Sequence, residues 1–222
     1  MLRVIASASG TVATEHHKHG EVMGSAPVVI VVAAGRGSRF AGRGHKLLQA
    51  LGGSTVLGTT LGHVLESGLP LVVVTTEALG AEATRIVARR DVIVISEAEA
   101  ARGMGHTIAA GVQARSQASG WLVLPADMPL VGAPVLQAVA GALARDAVVF
   151  AQHHGRRGHP VGFSAGMYSE LLSLTGDEGA RRLLARYPAV GVETEDPGVL
   201  FDIDTESDLD AARAMLPALC RE

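Results

Sequence analysis

Short apolar runs rich in β-branched residues recur along the chain, and segments with helical periodicity separate them. The runs that predict strands are 28–33, 71–74, 92–95, 121–124, 147–151 and 190–193. The segments that predict helices are 55–67, 79–89, 108–117, 131–143, 167–174 and 178–187. Strands that are apolar throughout must be covered on both faces. The alternation therefore predicts an α/β fold with a parallel sheet between layers of helices.

Three further segments complete this reading of the chain. Residues 47–51 predict a short extended piece, and 153–163 has the composition of a turn between two strands. Thr205 is predicted to cap a last helix whose first turn carries Glu206 and Asp208.

The loop that follows the first strand has the chemistry of an anion-binding site. Its glycines let backbone N–H groups approach and converge on phosphate oxygens. Its positive side chains are Arg36, Arg39, Arg43 and Lys46. Lys46 stands out because Lys18 is the only other lysine in the sequence. A soluble surface loop has a similar composition, so the loop alone does not decide its function.

Two well-known glycine loops do not fit. A P-loop requires Gly-Lys-Ser/Thr, whereas Gly42 is followed by Arg43 and Lys46 by Leu47. The dinucleotide-binding fingerprint requires a third glycine, and Phe40 stands in that place. A dinucleotide site is therefore a weak alternative.

Composition narrows the classes of function. The chain of 222 residues is 48% hydrophobic and 18% charged, which suits one globular α/β domain, predicted over 27–222. A net charge of −3 and 3% aromatic residues disfavour nucleic-acid binding. The single cysteine, Cys220, excludes an internal disulfide, and no apolar run is long enough to span a bilayer. We therefore expect a cytoplasmic protein that binds neither nucleic acid nor membranes.

Two groups of histidines are not interpreted as metal sites. Residues 1–26 lack periodicity and are predicted to be an extension that is disordered or added in cloning, so its histidines carry no argument. His153, His154 and His159 are close in sequence, but their spacing matches no usual zinc pattern.

Three carboxylates are better candidates for metal binding. Asp127 lies in Pro125-Ala126-Asp127-Met128-Pro129, at the predicted end of a strand. Asp202 and Asp204 alternate with an isoleucine, so in an extended segment both point to the same side. Mg²⁺ binds through one or two carboxylates together with substrate phosphates. The alternatives are that Asp127 forms a turn and that Asp202 is a capping acid.

Six motifs, taken in order, resemble those of the nucleotidyltransferases that complete the molybdenum cofactor. They are Ala33-Ala34-Gly35-x-Gly37-x-Arg39 with Lys46-Leu47-Leu48, Gly103-Met104-Gly105, Pro125-Ala126-Asp127-Met128-Pro129, Gly158-His159-Pro160-Val161, Gly176-Asp177-x-Gly179-Ala180-Arg181 and Asp202-Ile203-Asp204-Thr205. The sequence is similar above all to the molybdenum cofactor cytidylyltransferase branch. The resemblance extends over roughly 28–216.

The resemblance implies a fold, a reaction and a set of ligands. The fold is a three-layer α/β/α domain with a mostly parallel, Rossmann-like sheet of the nucleotide-diphospho-sugar transferase type. The reaction is Mg²⁺-dependent transfer of CMP from CTP to the phosphate of molybdopterin, with release of pyrophosphate. A molybdenum hydroxylase is the implied client protein.

The resemblance also implies roles for individual residues. The catalytic residues would be Arg39, Lys46 and Asp127, and the metal ligands Asp127 and Asp204. The nucleotide-binding residues would be Ala33, Ala34, Gly35, Arg36, Gly37, Arg39, Lys46, Gly103, Met104, Gly105, His106 and Asp127. The acceptor-binding residues would be His159, Pro160, Asp177, Gly179 and Arg181.

One departure from the family leaves the substrates open. The Gly-Met motif is commonly followed by serines, but here the next residues are His106, Thr107 and Ile108. The choice between CTP and GTP is therefore undecided, and a related enzyme could act on another phosphorylated acceptor such as a sugar phosphate. A protein that carries the cofactor to a molybdenum hydroxylase without turnover is the alternative outside enzymes.

Overall fold

The computed structural model describes residues 26–35, 37, 40 and 44–219, with side chains as far as residue 216. The strands in this part are β1 Val28–Ala33, β2 Ala50–Leu51, β3 Ser54–Thr55, β4 Leu71–Thr76, β5 Val92–Ile95, β6 Gly120–Pro125, β7 Val148–His153, β8 Arg156–Ser164 and β9 Val190–Glu193. The α-helices are α1 Val56–Glu66, α2 Glu77–Ile86, α3 Glu97–Ala100, α4 Met104–Ala114, α5 Ala133–Ala142, α6 Tyr168–Leu172, α7 Arg181–Arg186 and α8 Glu206–Leu219. Short 3₁₀ helices cover Lys46–Leu48, Arg89–Asp91, Ala165–Met167 and Pro197–Leu200. Within the described ranges no helix has both the length and the apolar character needed to cross a membrane.

Seven of these strands form one sheet in the order β5-β4-β1-β6-β8-β7-β9, and β2 pairs with β3. β8 is antiparallel to β6 and β7, and the other neighbouring pairs in the large sheet are parallel. The predicted mostly parallel sheet is therefore confirmed. In open α/β sheets, ligands bind outside the carboxyl ends of the parallel strands. The loops after β1, β5 and β6 lie at that edge, as does the start of β8.

Helices cover both faces of the sheet. On one face Val29 and Val31 join a core with α1, α2, α5 and α8. On the other face Val28 and Ile30 join a core with α4, α6 and α7. These four side chains of β1 are at most 4% exposed. Each stabilises the fold by about 1.5–3 kcal/mol, so β1 is a rigid base for the loop that follows it. The three-layer α/β/α architecture is confirmed.

Several elements differ from the prediction: β8 covers most of the segment 153–163 that was interpreted as a turn, and two further differences lie beside the glycine motifs. Residues 46–48 form a 3₁₀ helix, and only Ala50–Leu51 is extended where 47–51 was predicted. The helical turn begins because His45 Nδ1 accepts a hydrogen bond from the Leu47 N–H. Helix α4 begins at Met104 rather than near residue 108. The Gly105 N–H lies in the first turn of α4, where an N–H has no partner within the helix. It donates instead to the Gly176 carbonyl at 2.9 Å, and local sequence does not predict this tertiary hydrogen bond.

The start of α8 follows the prediction. The Asp208 N–H donates to Thr205 Oγ1 at 3.2 Å, so Thr205 is the cap. In return the Asp208 carboxylate accepts from the N–H groups of Asp204 and Thr205, at 3.1 and 2.7 Å. This reciprocal cap fixes the backbone at Asp204. Helix α7, by contrast, begins at Arg181, later than the predicted 178.

Candidate functional site

Two adjoining cavities open at the carboxyl edge of the sheet, with volumes of about 590 and 620 Å³. The first cavity lies between the end of β1, the 3₁₀ helix Lys46–Leu48 and the start of α4. The second lies between the start of β8, α7 and the segment that leads to α8. The residues that line both are Met104, Pro125, Asp127, Asp177 and Asp204. A molecule in one cavity would therefore lie beside a molecule in the other.

Lys46 joins two carboxylates at this shared wall. Its Nζ donates to Asp127 Oδ2 at 2.6 Å and to Asp204 Oδ1 at 3.0 Å, across 81 and 158 residues of sequence. Burial alone would lower the pKa of Lys46, but the charges and hydrogen bonds of Asp127 and Asp204 outweigh it, so the pKa is raised. The side chain is therefore a buried ammonium held between two acids.

Backbone hydrogen bonds explain why the two acids meet. The Ala126 N–H donates to the Val32 carbonyl at 3.1 Å, which continues the pairing of β6 with β1. Thr60 Oγ1 on α1 donates to the Ala126 carbonyl at 2.9 Å. The Ile203 N–H then donates to the Asp127 carbonyl at 2.9 Å. Asp204 is placed opposite Asp127 by this last contact.

The donor set fits a hard divalent cation. Two carboxylate oxygens already converge on one positive group, the Lys46 ammonium, which stands in for a cation. Among the described residues there is no group of three or more His, Cys, Asp or Glu side chains placed to hold a metal. The acids that converge on Lys46 in the described part of the chain are Asp127 and Asp204. That number suits Mg²⁺, which takes its other ligands from water and phosphate.

A third acid stands close to this pair. Asp202 lines the second cavity. Burial first, and then the charges of Asp204 and Asp127, raise the pKa of Asp202. The alternation predicted for Asp202 and Asp204 thus brings both acids to one cavity. Sequence reasoning considered Asp202 and did not place it among the site residues.

The glycine loop after β1 contributes to the first cavity. Ala34, Gly35 and Gly37, which were predicted to bind the nucleotide, are part of its lining. Gly37 has a φ of +59°, and a Cβ there would lie 3.2 Å from Lys46 Cγ, so glycine leaves room for the lysine side chain. Ala33 lies below the cavity, 1% exposed.

Part of the predicted loop chemistry cannot be placed. Arg36 and Arg39, as well as Gly42 and Arg43, lie outside the described residues. Their roles in binding phosphates and in catalysis remain predictions.

The second glycine motif, Gly103-Met104-Gly105, lies where the two cavities meet, because Met104 lines both. Gly103 and Met104 line the first cavity, whereas Gly105 and His106 are not in the lining of either. The Gly105 N–H donates to the Gly176 carbonyl at 2.9 Å, and the Gly176 N–H donates to the Arg102 carbonyl at 3.0 Å. These two hydrogen bonds attach the 102–105 turn to the loop that carries Asp177. The glycines of the motif thus have a packing role that local sequence did not reveal.

Replacing Gly103 with Ala is expected to destabilise the fold. Gly103 has a φ of +97°, and a Cβ there would lie 2.5 Å from the Gly176 carbonyl oxygen. Such a backbone conformation costs a non-glycine residue about 1–3 kcal/mol. Urea unfolding should show this loss. Gly141→Ala in α5 is the matched control, because a Cβ there has open space and the helix should gain about 0.5–1 kcal/mol. Equal midpoints for the two variants would contradict the packing role.

The second cavity receives three of the predicted acceptor-binding residues, His159, Asp177 and Arg181. Pro160 and Gly179 are not in its lining; Gly179 lies against Met104. Burial lowers the pKa of His159, with the Arg181 charge adding to the decrease and the Asp127 charge opposing it. His159 is therefore a neutral imidazole at neutral pH.

Two arginines of this cavity were missed from sequence. Arg156 and Arg157 line it at the start of β8, and the Arg157 guanidinium carbon lies 4.4 Å from the centre of the Phe150 ring. Local sequence gave no clear signal for them, because the segment was interpreted as a turn and the pairing of β7 with β8 is irregular there. The apolar residues Met128, Leu184 and Leu200 line the same cavity. The second cavity therefore combines guanidinium groups and an apolar wall with the carboxylates Asp127, Asp177, Glu178, Asp202 and Asp204.

Comparison with known proteins finds relatives in sequence and in structure. The sequence model of the MobA-like NTP transferase domain matches residues 29–190. Purine catabolism protein PucB of Bacillus subtilis (strain 168) is 34% identical over 198 residues, which cover 83% of this chain and 94% of PucB.

Two solved structures have the same fold over most of their length. Rv0371c from Mycobacterium tuberculosis H37Rv is 27% identical with a TM-score of 0.73, and the match covers 86% of this chain and 98% of that one. Mth528, a nucleotidyl transferase from Methanothermobacter thermautotroptrophicus, is 26% identical with a TM-score of 0.73. The match covers 88% of this chain and 100% of Mth528. The family predicted from the six motifs is thereby confirmed. The chain belongs to the MobA-like NTP transferase domain family and is a nucleotidyltransferase of that family.

Proposed function

We propose that this protein transfers CMP from CTP to the terminal phosphate of molybdopterin and releases pyrophosphate. The observation that carries the proposal is the contact of two cavities across Lys46, Asp127 and Asp204. A nucleotide in the first cavity would present its α-phosphate at the shared wall. An acceptor in the second cavity would reach the same point.

The chemistry needs no general base. A phosphate oxygen of the acceptor is already an anionic nucleophile, and it attacks the α-phosphorus of the nucleotide. One phosphorus–oxygen bond forms, the bond between the α-phosphorus and its bridging oxygen breaks, and pyrophosphate leaves. Catalysis of such a step depends on alignment and on stabilisation of the charge that the phosphates share in the transition state.

The chain's own residues would divide this work. Lys46 would stabilise negative charge on the phosphates, because its raised pKa keeps it an ammonium. Asp127 and Asp204 would hold Mg²⁺, which when bound neutralises phosphate charge. Arg39 remains a further candidate for a phosphate contact.

The second cavity offers groups for the phosphate and for the ring system of the acceptor, beside the carboxylates that it shares with the first cavity. Arg156, Arg157 and Arg181 offer guanidinium groups of the kind that recognise phosphate. Its apolar wall offers a surface for a ring system. His159, as a neutral imidazole, can donate or accept a hydrogen bond at the same place.

A second candidate is a carrier that holds the cofactor for a molybdenum hydroxylase without turnover. PucB is named a purine catabolism protein, and a carrier that serves a catabolic enzyme fits that name. The buried lysine between two acids favours the transferase, because a pure carrier needs no such group.

The test is pyrophosphate release. The protein is incubated with Mg²⁺, molybdenum cofactor and each of the four common NTPs in turn. We expect release with CTP that depends on both the metal and the cofactor. If GTP were the only NTP that gave release, the protein would still be a transferase, but its nucleotide substrate would be GTP and not CTP. If no NTP gave release and the protein retained the cofactor, the result would contradict the transferase proposal and support the carrier.

A further inference from the structure

His45 connects two backbone segments that border the first cavity. Its Nδ1 accepts a hydrogen bond from the Leu47 N–H at 3.2 Å. Its Nε2 lies 3.2 Å from the carbonyl oxygen of Gly35, ten residues earlier in the chain. One imidazole ring therefore joins the end of the β1 segment to the start of the 3₁₀ helix.

These two partners allow only one state of the ring. A backbone N–H can only donate, so Nδ1 must carry a lone pair. A carbonyl oxygen can only accept, so Nε2 must carry the proton. The neutral Nε2–H tautomer satisfies both contacts. The other neutral tautomer satisfies neither contact, and the imidazolium loses the one with Leu47.

The contacts bear directly on the nucleotide side of the site. Gly35 lines the first cavity, and Lys46 is the residue after His45. The Leu48 N–H donates to the His45 carbonyl at 2.9 Å, so the 3₁₀ turn that carries Lys46 is built on His45. His45 itself is not in the lining of either cavity. A role through Lys46 and Gly35 fits this placement better than contact with substrate.

We propose that His45, as the Nε2–H tautomer, is a positioning residue that fixes Lys46 and Gly35 for binding of the nucleotide. The proposal rests on NTP use, which the family shares, and on no particular acceptor. A side chain that cannot both accept from the Leu47 N–H and donate to the Gly35 carbonyl would loosen at least one wall of the cavity.

The positioning should depend on pH in one direction. Burial lowers the pKa of His45 from its ordinary value of 6.5, and the charge of Lys46 adds to this, whereas the Gly35 hydrogen bond and the charge of Glu97 on α3 oppose it. Lys46 and Glu97 are the charged groups of the described chain that act on the ring. Because the pKa is lowered in the folded state, the contribution of the neutral His45 ring to stability is complete above pH 6.5. It is lost as the pH falls through the lower, folded value.

The first measurement is the tautomer itself. In the full-length protein labelled with ¹⁵N-histidine, the two ring nitrogens of a neutral histidine have different chemical shifts. The His45 signals are assigned from their absence in His45→Asn. We expect a protonated Nε2 and an unprotonated Nδ1 at neutral pH. A protonated Nδ1, whether neutral or cationic, would overturn the proposal.

The second measurement is nucleotide affinity by calorimetry, with CTP and the other three NTPs in the presence of Mg²⁺. His45→Ala removes both contacts and should raise Kd by about fivefold or more. His45→Asn can still accept from the Leu47 N–H but is too short to reach Gly35, so its Kd should be intermediate. His154→Asn is the matched control, because His154 lies in the β7–β8 turn at a φ of +48°, which asparagine tolerates.

The pH profile separates positioning from general loss of structure. The ratio of Kd values for His45→Asn and the wild type should fall toward one as the pH is lowered through the pKa of His45. A ratio that does not change with pH, or a wild-type Kd in His45→Ala with a normal unfolding midpoint, would overturn the proposal. A wild type that binds NTP but releases no pyrophosphate would affect the proposed reaction and not the role of His45.

Discussion

Replacing Asp127 with Asn is expected to lower the rate of pyrophosphate release by about 10²- to 10³-fold. The amide keeps the shape of the side chain but removes one of the two negative charges that converge at the wall between the cavities. The site would then hold a divalent cation more weakly, and the phosphates would keep more unneutralised charge. Steady-state rates at saturating NTP, measured over a range of Mg²⁺ concentrations, measure the effect.

The matched control for this variant is Asp210→Asn. Asp210 lies on α8 with its side chain 75% exposed, and its carboxylate pairs only with the neighbouring Arg213 among the contacts described. Such an exposed ion pair contributes little to the stability of the fold. We therefore expect a wild-type rate. If Asp127→Asn kept the rate of this control, Asp127 would have no catalytic role, although the family would stand.

Replacing Lys46 with Met should have the second large effect. It should lower kcat/KM and raise the affinity for a metal ion. The variant keeps the length of the side chain and loses its charge, so we expect kcat/KM to fall by about 10²- to 10³-fold. The affinity for Mn²⁺ without nucleotide should rise, because no ammonium then lies between Asp127 and Asp204. Electron paramagnetic resonance of free Mn²⁺ measures this affinity.

This pair of results would identify a competition between Lys46 and the metal. In the wild type, a cation bound to the two oxygens that Lys46 contacts would displace its ammonium, and the phosphates of a nucleotide would give the ammonium a new partner. Metal and nucleotide should therefore bind together more tightly than either binds alone. Arg85→Met, with an arginine that is 76% exposed on α2, is the control for loss of a positive charge. Unchanged Mn²⁺ affinity in Lys46→Met would contradict the competition.

The sheet was predictable because its strands are apolar on both faces. Val28, Val29, Ile30 and Val31 alternate between two cores, and a short run of β-branched side chains that ends at a glycine loop favours a strand covered on both faces. The pattern therefore specified a parallel sheet between two helical layers. The six motifs in order then specified the family, which no one of them does alone.

Features that depend on tertiary contacts were not predictable. Helix α4 starts early because the Gly176 carbonyl, far along the chain, pairs with the Gly105 N–H. Lys46 was predicted to bind phosphate, but its pairing with both acids depends on the docking of two distant segments. Arg156 and Arg157 had the composition of an ordinary turn until β8 placed them at the second cavity.

The contact between the Ile203 N–H and the Asp127 carbonyl has a consequence for how the protein becomes active. Asp204 belongs to the segment between β9 and α8, which follows every strand of the sheet in the sequence. An intermediate with a complete sheet but an undocked segment would have Lys46 beside a single acid. Its metal site would be half formed. If the two acids hold the metal as proposed, metal affinity should therefore report whether this segment has docked on the sheet.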